Sequence, residues 1–159
     1  MKTTTIISIF IFCCSCAAQQ KVVVKYIEVN NATGLQQALK NAKAGDEIVI
    51  NEGVYNGNFI IPATVNGTAD LPIKLYAKGK VILNGNTTET GYVLYLQANY
   101  WQIKNITITN GLKGLMCDGA NYNIIENLTV HTIGEEAIHF RRFSSHNILQ
   151  QCNIYNTGL

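Results

Sequence analysis

Proline and charged residues are scarce in this 159-residue chain, which has two prolines and only 14% Asp, Glu, Lys and Arg together. The 12 basic residues nearly balance the 10 acidic ones, so the chain lacks the basic excess that coating a nucleic acid requires. We therefore expect no nucleic-acid partner. A hydrophobic content of 47% also excludes a chain that is disordered by composition.

Isoleucine, asparagine and glycine are abundant, with 20, 18 and 13 copies. Isoleucine favours strands because its branched side chain packs well on a pleated surface, whereas asparagine and glycine favour tight turns. The composition therefore indicates many short strands joined by turns, and it argues against a helical bundle.

Residues 1–18 have the pattern of a secretory signal peptide, in which a basic residue precedes an apolar segment too short to span a bilayer. Two cleavage interpretations remain open. Cys16, Ala17 and Ala18 fit ordinary secretion, whereas Ser15-Cys16 resembles the end of a bacterial lipoprotein signal. In the second case Cys16 is lipidated and anchors the protein to a membrane. Both predict an extracytoplasmic protein that is secreted, periplasmic or lipid-anchored at the cell surface.

Two cysteines, Cys117 and Cys152, remain once such a leader is removed. A single pair does not make a disulfide framework, and neither residue has the spacing of a metal ligand. We therefore predict that both are small apolar residues of the core.

One amphipathic helix is predicted over residues 33–45. Thr33 and Gln36 have the spacing of a capping box, and Gly45 is suited to the end of the helix. Because no second helix is predicted, we expect this one to lie as a lid over an exposed core. Apolar residues recur at i, i+3, i+4 and i+7: Leu35, Ala38, Leu39 and Ala42.

Short strands separated by Gly, Asn, Asp or Thr are predicted on both sides of the helix. The clearest candidates are residues 21–29, 47–50, 58–61, 73–77 and 81–83.

An internal repeat follows these strands. Trp101 is equivalent to Asn123 and then to Asn147, so the period is 22 and then 24 residues. Self-similarity in this range is typical of a solenoid. The aligned segments are residues 98–111, 120–131 and 144–155.

The repeat also predicts how each coil bends. Within each unit, apolar residues two positions apart mark a strand. Just before that strand, two apolar residues are three positions apart, and this spacing interrupts the alternation. Asn105, Asn127 and Gln151 stand at this break in successive units. Since Asn tolerates the left-handed conformation, we predict that these three residues form a turn ladder. Three short strands per coil predict an all-β, right-handed parallel β-helix over residues 21–159, capped by the N-terminal helix.

Several segments resemble a known family. LQQAL (35–39), AGDEIVI (44–50), GVY (53–55) and GTADLPIKL (67–75) are similar to the N-terminal part of parallel β-helix polysaccharide lyases of the chondroitinase B and alginate lyase group. The later repeats resemble pectate-lyase-like proteins. Together the resemblance covers residues 26–159.

The resemblance implies a carbohydrate-active enzyme that cleaves a uronate-containing polysaccharide by β-elimination. In that family the catalytic Lys and Arg and the calcium ligands come from later coils. No position here matches them, so we assign no catalytic residue and no metal site. Calcium is then expected only in the full-length protein.

One short segment carries most of the candidate ligand-binding groups. If Ile138 and Phe140 point inward, His139 and Arg141 point outward from the same strand. The same alternation one coil earlier turns Asp118 outward beside Arg141. A groove for an anionic sugar and a solvated surface ion pair both remain open as interpretations. The candidate substrate-binding residues are Asp118, His139, Arg141 and Arg142.

Aromatic residues at the bends are a second candidate for sugar binding. Tyr100, Trp101 and Tyr122 have faces on which sugar rings can stack, or they pack against the next coil.

Two functions compete at this point: a lyase, or a non-catalytic glycan-binding or adhesin-like surface module. A solenoid needs its last coil covered, and the residues before Leu159 include no capping segment. We therefore expect a truncated chain whose active coils lie beyond Leu159, or end-to-end association if the natural protein stops there.

Overall fold

The computed structural model describes residues 24–159. The predicted signal peptide and Cys16 lie outside the described residues. Within residues 24–159, no helix is long and apolar enough to cross a membrane. In chain order the elements are β1 (Tyr26–Val29), α1 (Ala32–Asn41), β2 (Glu47–Asn56), β3 (Phe59–Ile61), β4 (Ile73–Asn84), β5 (Tyr92–Leu96), β6 (Trp101–Lys104), β7 (Thr107–Gly111), β8 (Lys113–Asp118), β9 (Ile124–Glu126), β10 (Thr129–Ile133), β11 (Ile138–Arg141), β12 (Ile148–Gln150) and β13 (Asn153–Thr157).

These strands form the three faces of a right-handed parallel β-helix of about six coils, as the repeat predicts. The first face holds β1, β2, β4, β6, β9 and β12, and the second holds β2, β4, β7, β10 and β13. The third face holds β3, β5, β8 and β11. Strands β2 and β4 are long enough to continue around the corner between the first two faces, where their register shifts between Asn51 and Gly53.

Successive coils stack in the register that the repeat predicts. Ile103 pairs with Ile125, which pairs with Leu149. On the third face, Leu115 lies between Leu94 and Ile138. Inward side chains therefore form columns along the axis, and these columns are the core.

The core is fully apolar along most of its length. Trp101 is completely buried, and its indole Nε1 donates to the carbonyl oxygen of Val65 at 2.8 Å. Cys117 is buried and Cys152 is partly buried, and both are free. Burial raises the pKa of the Cys117 thiol to about 12, so this group stays protonated and unreactive.

Helix α1 closes the first coil as predicted, but its ends differ from the prediction. The apolar stripe is buried in the same cluster as the core columns. The N-cap is Asn31 rather than Thr33, because the Asn31 Oδ1 accepts from the backbone N–H of Gly34 at 2.8 Å. The helix ends at Asn41 with Ala42 as its cap, ahead of Gly45.

The bounds of two predicted strands differ in the structure. Of the predicted segment 21–29, residues 21–23 lie outside the described residues, and the described strand begins at Tyr26. The candidates at 73–77 and 81–83 are parts of the single strand β4.

The predicted turn ladder is only partly linked by side chains. Asn105, Asn127 and Gln151 all have positive φ, at 62°, 53° and 56°. The Asn127 Nδ2 donates to the Asn105 Oδ1 at 2.8 Å. No side-chain hydrogen bond joins Gln151 to Asn127 in the described part of the chain. The longer Gln side chain is exposed at this bend.

A second Asn column lies inside the bend. The Oδ1 of the fully buried Asn123 accepts from the Trp101 N–H at 2.8 Å, and its Nδ2 donates to the Ala98 carbonyl at 3.1 Å. The same Nδ2 donates to the Asn147 Oδ1 at 3.0 Å. This side chain therefore joins three successive coils.

We expect Asn123→Ala to lower the free energy of unfolding by about 3 kcal/mol, because it leaves a buried N–H and a buried carbonyl without partners. Urea denaturation of the variant measures the loss. The control is Asn153→Ala, because Asn153 is exposed and its side chain makes no hydrogen bond within residues 24–159. Equal stability of the two variants would contradict a bridging role for Asn123.

Candidate functional site

The outer surface of the third face carries the densest group of interacting polar side chains. Alternation along β8 and β11 turns Asp118 and Arg141 outward, and the two residues are direct register partners. In the next row Met116 lies between Tyr95 and His139. Met116 is completely buried although it points away from the core, so side chains cover this part of the surface.

Asp118 is the centre of an interaction cluster, which we call the Asp118 cluster: Tyr95, Asp118, Arg141 and Arg142. Its Oδ2 accepts from the Tyr95 hydroxyl at 2.5 Å and from the Arg141 Nη2 at 2.8 Å. The Arg142 Nη1 lies 3.5 Å from the same oxygen. The Asp118 side chain is only 2% exposed, so this arrangement differs from a solvated surface ion pair.

The electrostatics of the cluster follow from this geometry. Burial by itself would raise the pKa of Asp118, but the hydrogen bonds from Tyr95 and Arg141 and the charges of the two arginines lower it below its usual value. Burial, followed by the bond to Asp118, raises the pKa of Tyr95. Tyr95 therefore remains a neutral donor. With one carboxylate facing two guanidinium groups, one positive charge is left uncompensated at the surface.

Tyr92 also restrains Arg141. The Arg141 Cζ lies 5.7 Å from the centroid of the Tyr92 ring, within cation–π range. Tyr92 in turn contacts Tyr95 edge to face, with ring centroids 5.2 Å apart. The Arg141 side chain is thus oriented by a carboxylate and an aromatic ring, and it is 31% exposed.

His139 lies on the same strand but belongs to a different group. Its Nδ1 is 3.3 Å from the Glu136 Oε1, without the geometry of a hydrogen bond. Glu136 and Glu135 both pair with the Lys113 ammonium group, with a Glu135 Oε2 to Nζ distance of 2.7 Å. Among residues 24–159, no hydrogen bond or ion pair connects His139 to Asp118. The structure therefore brings together three of the four predicted substrate-binding residues.

The aromatic residues at the bends pack against each other. The rings of Tyr100 and Tyr122 stack at a centroid distance of 5.0 Å, and Tyr122 stacks on His146 at 4.7 Å. Both faces of the Tyr122 ring are therefore covered by neighbouring rings. Trp101 is buried in the core. The structure therefore agrees with the interpretation that these aromatic residues pack against the next coil.

The described residues do not fit the calcium ion that the family resemblance implies. Residues 24–159 contain no group of three His, Cys, Asp or Glu side chains placed to hold a metal ion. The buried carboxylate of Asp118 already faces two guanidinium groups, whose charge opposes a cation.

Sequence reasoning missed Tyr92 and Tyr95. The segment 92–96 is apolar on both faces, so its alternation alone does not reveal which side chains point outward. Alignment of Leu94 and Leu96 with Leu115 and Cys117 of the next coil would have given the orientation.

The fold and the cluster define a β-helix protein that carries two arginines and two tyrosines around a buried carboxylate on its third face. The family model for the Pel9A-like right-handed β-helix region matches residues 20–158, and the chain belongs to this family. It is therefore a polysaccharide lyase-like β-helix protein.

Known relatives agree with this assignment. The chain is 25% identical over 137 residues to pectate lyase PEL9 of Emericella nidulans. This alignment covers 76% of the chain and 33% of that protein. The crystal structure of an alginate lyase from Paenibacillus sp. str. FPU-7 matches with a TM-score of 0.75 and 41% identity, over 84% of this chain and 44% of that one. Pectate lyase Pel9A shares the fold, with a TM-score of 0.71 and 17% identity over 85% of this chain and 41% of that one. The chain thus spans less than half of the length of each of these relatives.

We predict that Asp118→Asn lowers the free energy of unfolding by about 2 kcal/mol at pH 7, because Arg141 loses a charged partner. The pKa of Asp118 is lower in the folded state than in the unfolded state. The stabilisation that its carboxylate provides is therefore fully present above the unfolded pKa of about 3.9, and it is lost as the pH falls through the folded-state pKa. The difference between wild type and variant should therefore shrink below about pH 4.

Urea denaturation across pH 2–7 measures the free energy of unfolding of the wild type and of Asp118→Asn. The control is Asp70→Asn, because Asp70 is exposed. A wild-type–variant difference that does not change with pH would show that the Asp118 charge does not contribute to stability.

Proposed function

We propose that this protein acts outside the cytoplasm on a uronate-containing polysaccharide, which it cleaves by β-elimination. Elimination from a uronate requires a cation or guanidinium to neutralise the carboxylate, a base to remove the α-proton, and help for the departing oxygen. The observation that carries the proposal is the Asp118 cluster on a chain of a lyase-like family. The uncompensated positive charge of this cluster is suited to neutralise the substrate carboxylate.

We assign binding, rather than proton abstraction, to the described coils. Arg141 and Arg142 offer planar donor pairs that match a carboxylate, and Asp118 fixes their position. His139 lies beside this surface, where it can donate to a sugar hydroxyl while Glu136 contacts its Nδ1. We propose that the base and any calcium ion belong to coils outside residues 24–159.

The extracytoplasmic location rests on the leader-like pattern of residues 1–18. Lipid anchoring through Cys16 remains a prediction, and globomycin treatment of cells tests it. Accumulation of the unprocessed precursor is the expected result for a lipoprotein, whereas unchanged processing indicates ordinary secretion.

A non-catalytic glycan-binding module is the second candidate. It is favoured by the cluster itself, because a guanidinium pair held by a buried carboxylate can bind an acidic glycan without any base nearby.

The full-length gene product should release unsaturated uronate, detected by its ultraviolet absorbance, from at least one of pectate, alginate and chondroitin. Arg141→Gln should reduce kcat/KM about tenfold, because a charged hydrogen bond to the substrate carboxylate is lost. The control is Lys78→Gln, because the Lys78 ammonium is exposed on another face. Absence of product from all three polymers would contradict the lyase, and retained binding would then support the glycan-binding module.

A further inference from the structure

Gln97 is joined to the Asp118 cluster through Tyr95. It directly follows Leu96, the register partner of Cys117, so Gln97 lies opposite Asp118. Residues two apart on a strand point to the same side of the sheet, and the Gln97 side chain therefore points outward with that of Tyr95. The Gln97 Nε2 donates a hydrogen bond to the Tyr95 Oη at 3.3 Å.

Coils on both sides fix the position of these groups. The Gln97 N–H donates to the Ile61 carbonyl at 3.0 Å, which continues the pairing of β3 and β5 by one residue. Strand β5 lies between β3 and β8, and β8 lies between β5 and β11. Gln97, Tyr95 and Asp118 thus belong to coils that have a described third-face strand on either side.

The chemistry of the phenol hydroxyl sets the direction of both hydrogen bonds. A hydroxyl group has one proton to donate and two lone pairs that accept. The Tyr95 proton goes to the Asp118 Oδ2, because a bond of 2.5 Å to an ionised carboxylate is the stronger of the two. The Tyr95 Oη then accepts from Gln97, so the amide nitrogen of Gln97 faces it. A chain of donors therefore runs from Gln97 through Tyr95 to Asp118.

This chain strengthens the hydrogen bond at Asp118. A donor to the hydroxyl oxygen polarises the hydroxyl and makes its proton a better donor in turn. Without Gln97, the half-buried Tyr95 would be free to turn its proton toward water. The Asp118 side chain is 2% exposed, so it depends on protein donors rather than on water to stay ionised.

Few groups act on the charge of Asp118. The ionisable side chains that act on its pKa are Tyr95 from β5, Arg141 from β11 and Arg142 just after β11. Gln97 carries no charge, and within residues 24–159 its side chain makes no hydrogen bond to Asp118. The influence of Gln97 on Asp118 therefore passes through the Tyr95 hydroxyl.

We propose that Gln97 is a positioning residue, which directs the Tyr95 proton to Asp118 and thereby holds the Arg141 and Arg142 guanidinium groups in the orientation that receives a uronate carboxylate. An amide suits this role because it donates a hydrogen bond without adding a charge to the cluster. The identity of the ligand rests on the proposed function. The link from Gln97 to Asp118 does not depend on any ligand.

Gln97→Met in the full-length protein removes the donor and keeps an unbranched side chain of similar size. We expect the pKa of Asp118 to rise toward its ordinary value, because Tyr95 becomes a weaker donor. Carbon-13 NMR titration of the Asp118 carboxyl measures this pKa, and the same spectra show that the variant is folded. The matched control is Gln102→Met, because Gln102 is a half-buried residue on the first face and should leave the pKa unchanged.

Tyr95→Phe separates positioning from packing. By itself it should raise the pKa of Asp118, because the bond to the carboxylate is lost. In the Tyr95→Phe background, Gln97→Met should cause no further rise, since the proposed influence passes through the hydroxyl. The proposal is overturned if Gln97→Met does not move the pKa of Asp118, or moves it equally in both backgrounds.

Binding measurements distinguish this proposal from the proposed function. The Kd for polygalacturonate, from isothermal titration calorimetry, should rise about threefold in Gln97→Met and stay unchanged in Gln102→Met. An unchanged Kd despite a raised Asp118 pKa would overturn the role of Gln97 in binding.

The two proposals can fail separately. A raised Asp118 pKa in Gln97→Met, without binding or cleavage of polysaccharide by the wild type, would support the link from Gln97 to Asp118 and contradict the proposed function. Cleavage by the wild type, with an unchanged Asp118 pKa in Gln97→Met, would support the lyase and overturn the positioning role.

Discussion

The fold and the candidate site both depend on hydrogen bonds and stacked side chains between successive coils. A coil of 22 to 24 residues encloses no core of its own, so it is stable only when its inward residues continue the columns of the coils beside it. The column of Leu94, Leu115 and Ile138 shows how this works. A shift of one residue would turn each strand's apolar side chains outward, and the core therefore fixes the register.

Once the core fixes the register, it also fixes which outward residues meet. Asp118 faces Arg141 because Cys117 beside it faces Phe140 in the same strand pair. Stacking also brings Tyr95 of the preceding coil to the same carboxylate oxygen, to which its hydroxyl donates a hydrogen bond. A buried carboxylate with several donors can hold two arginines at the surface, where their remaining donors can pair with an anionic group.

Much of the fold could be predicted from sequence because repetition is visible without knowledge of contacts. The repeat gave the stacking of Ile103, Ile125 and Leu149, and the apolar stripe of α1 indicated a cap. Its N-cap was misassigned because Asn31 and Thr33 are both good capping residues, and only the backbone at Asn31 decides between them. The burial of Asp118 depends on Tyr92 and Tyr95, whose segment lacks a clear alternation.

The most direct test of this account is a crystal structure of the full-length protein with a uronate oligosaccharide. We predict that a carboxylate oxygen lies within about 3 Å of a guanidinium nitrogen of Arg141 or Arg142. An oligosaccharide bound on another face, with no contact to either arginine, would contradict it.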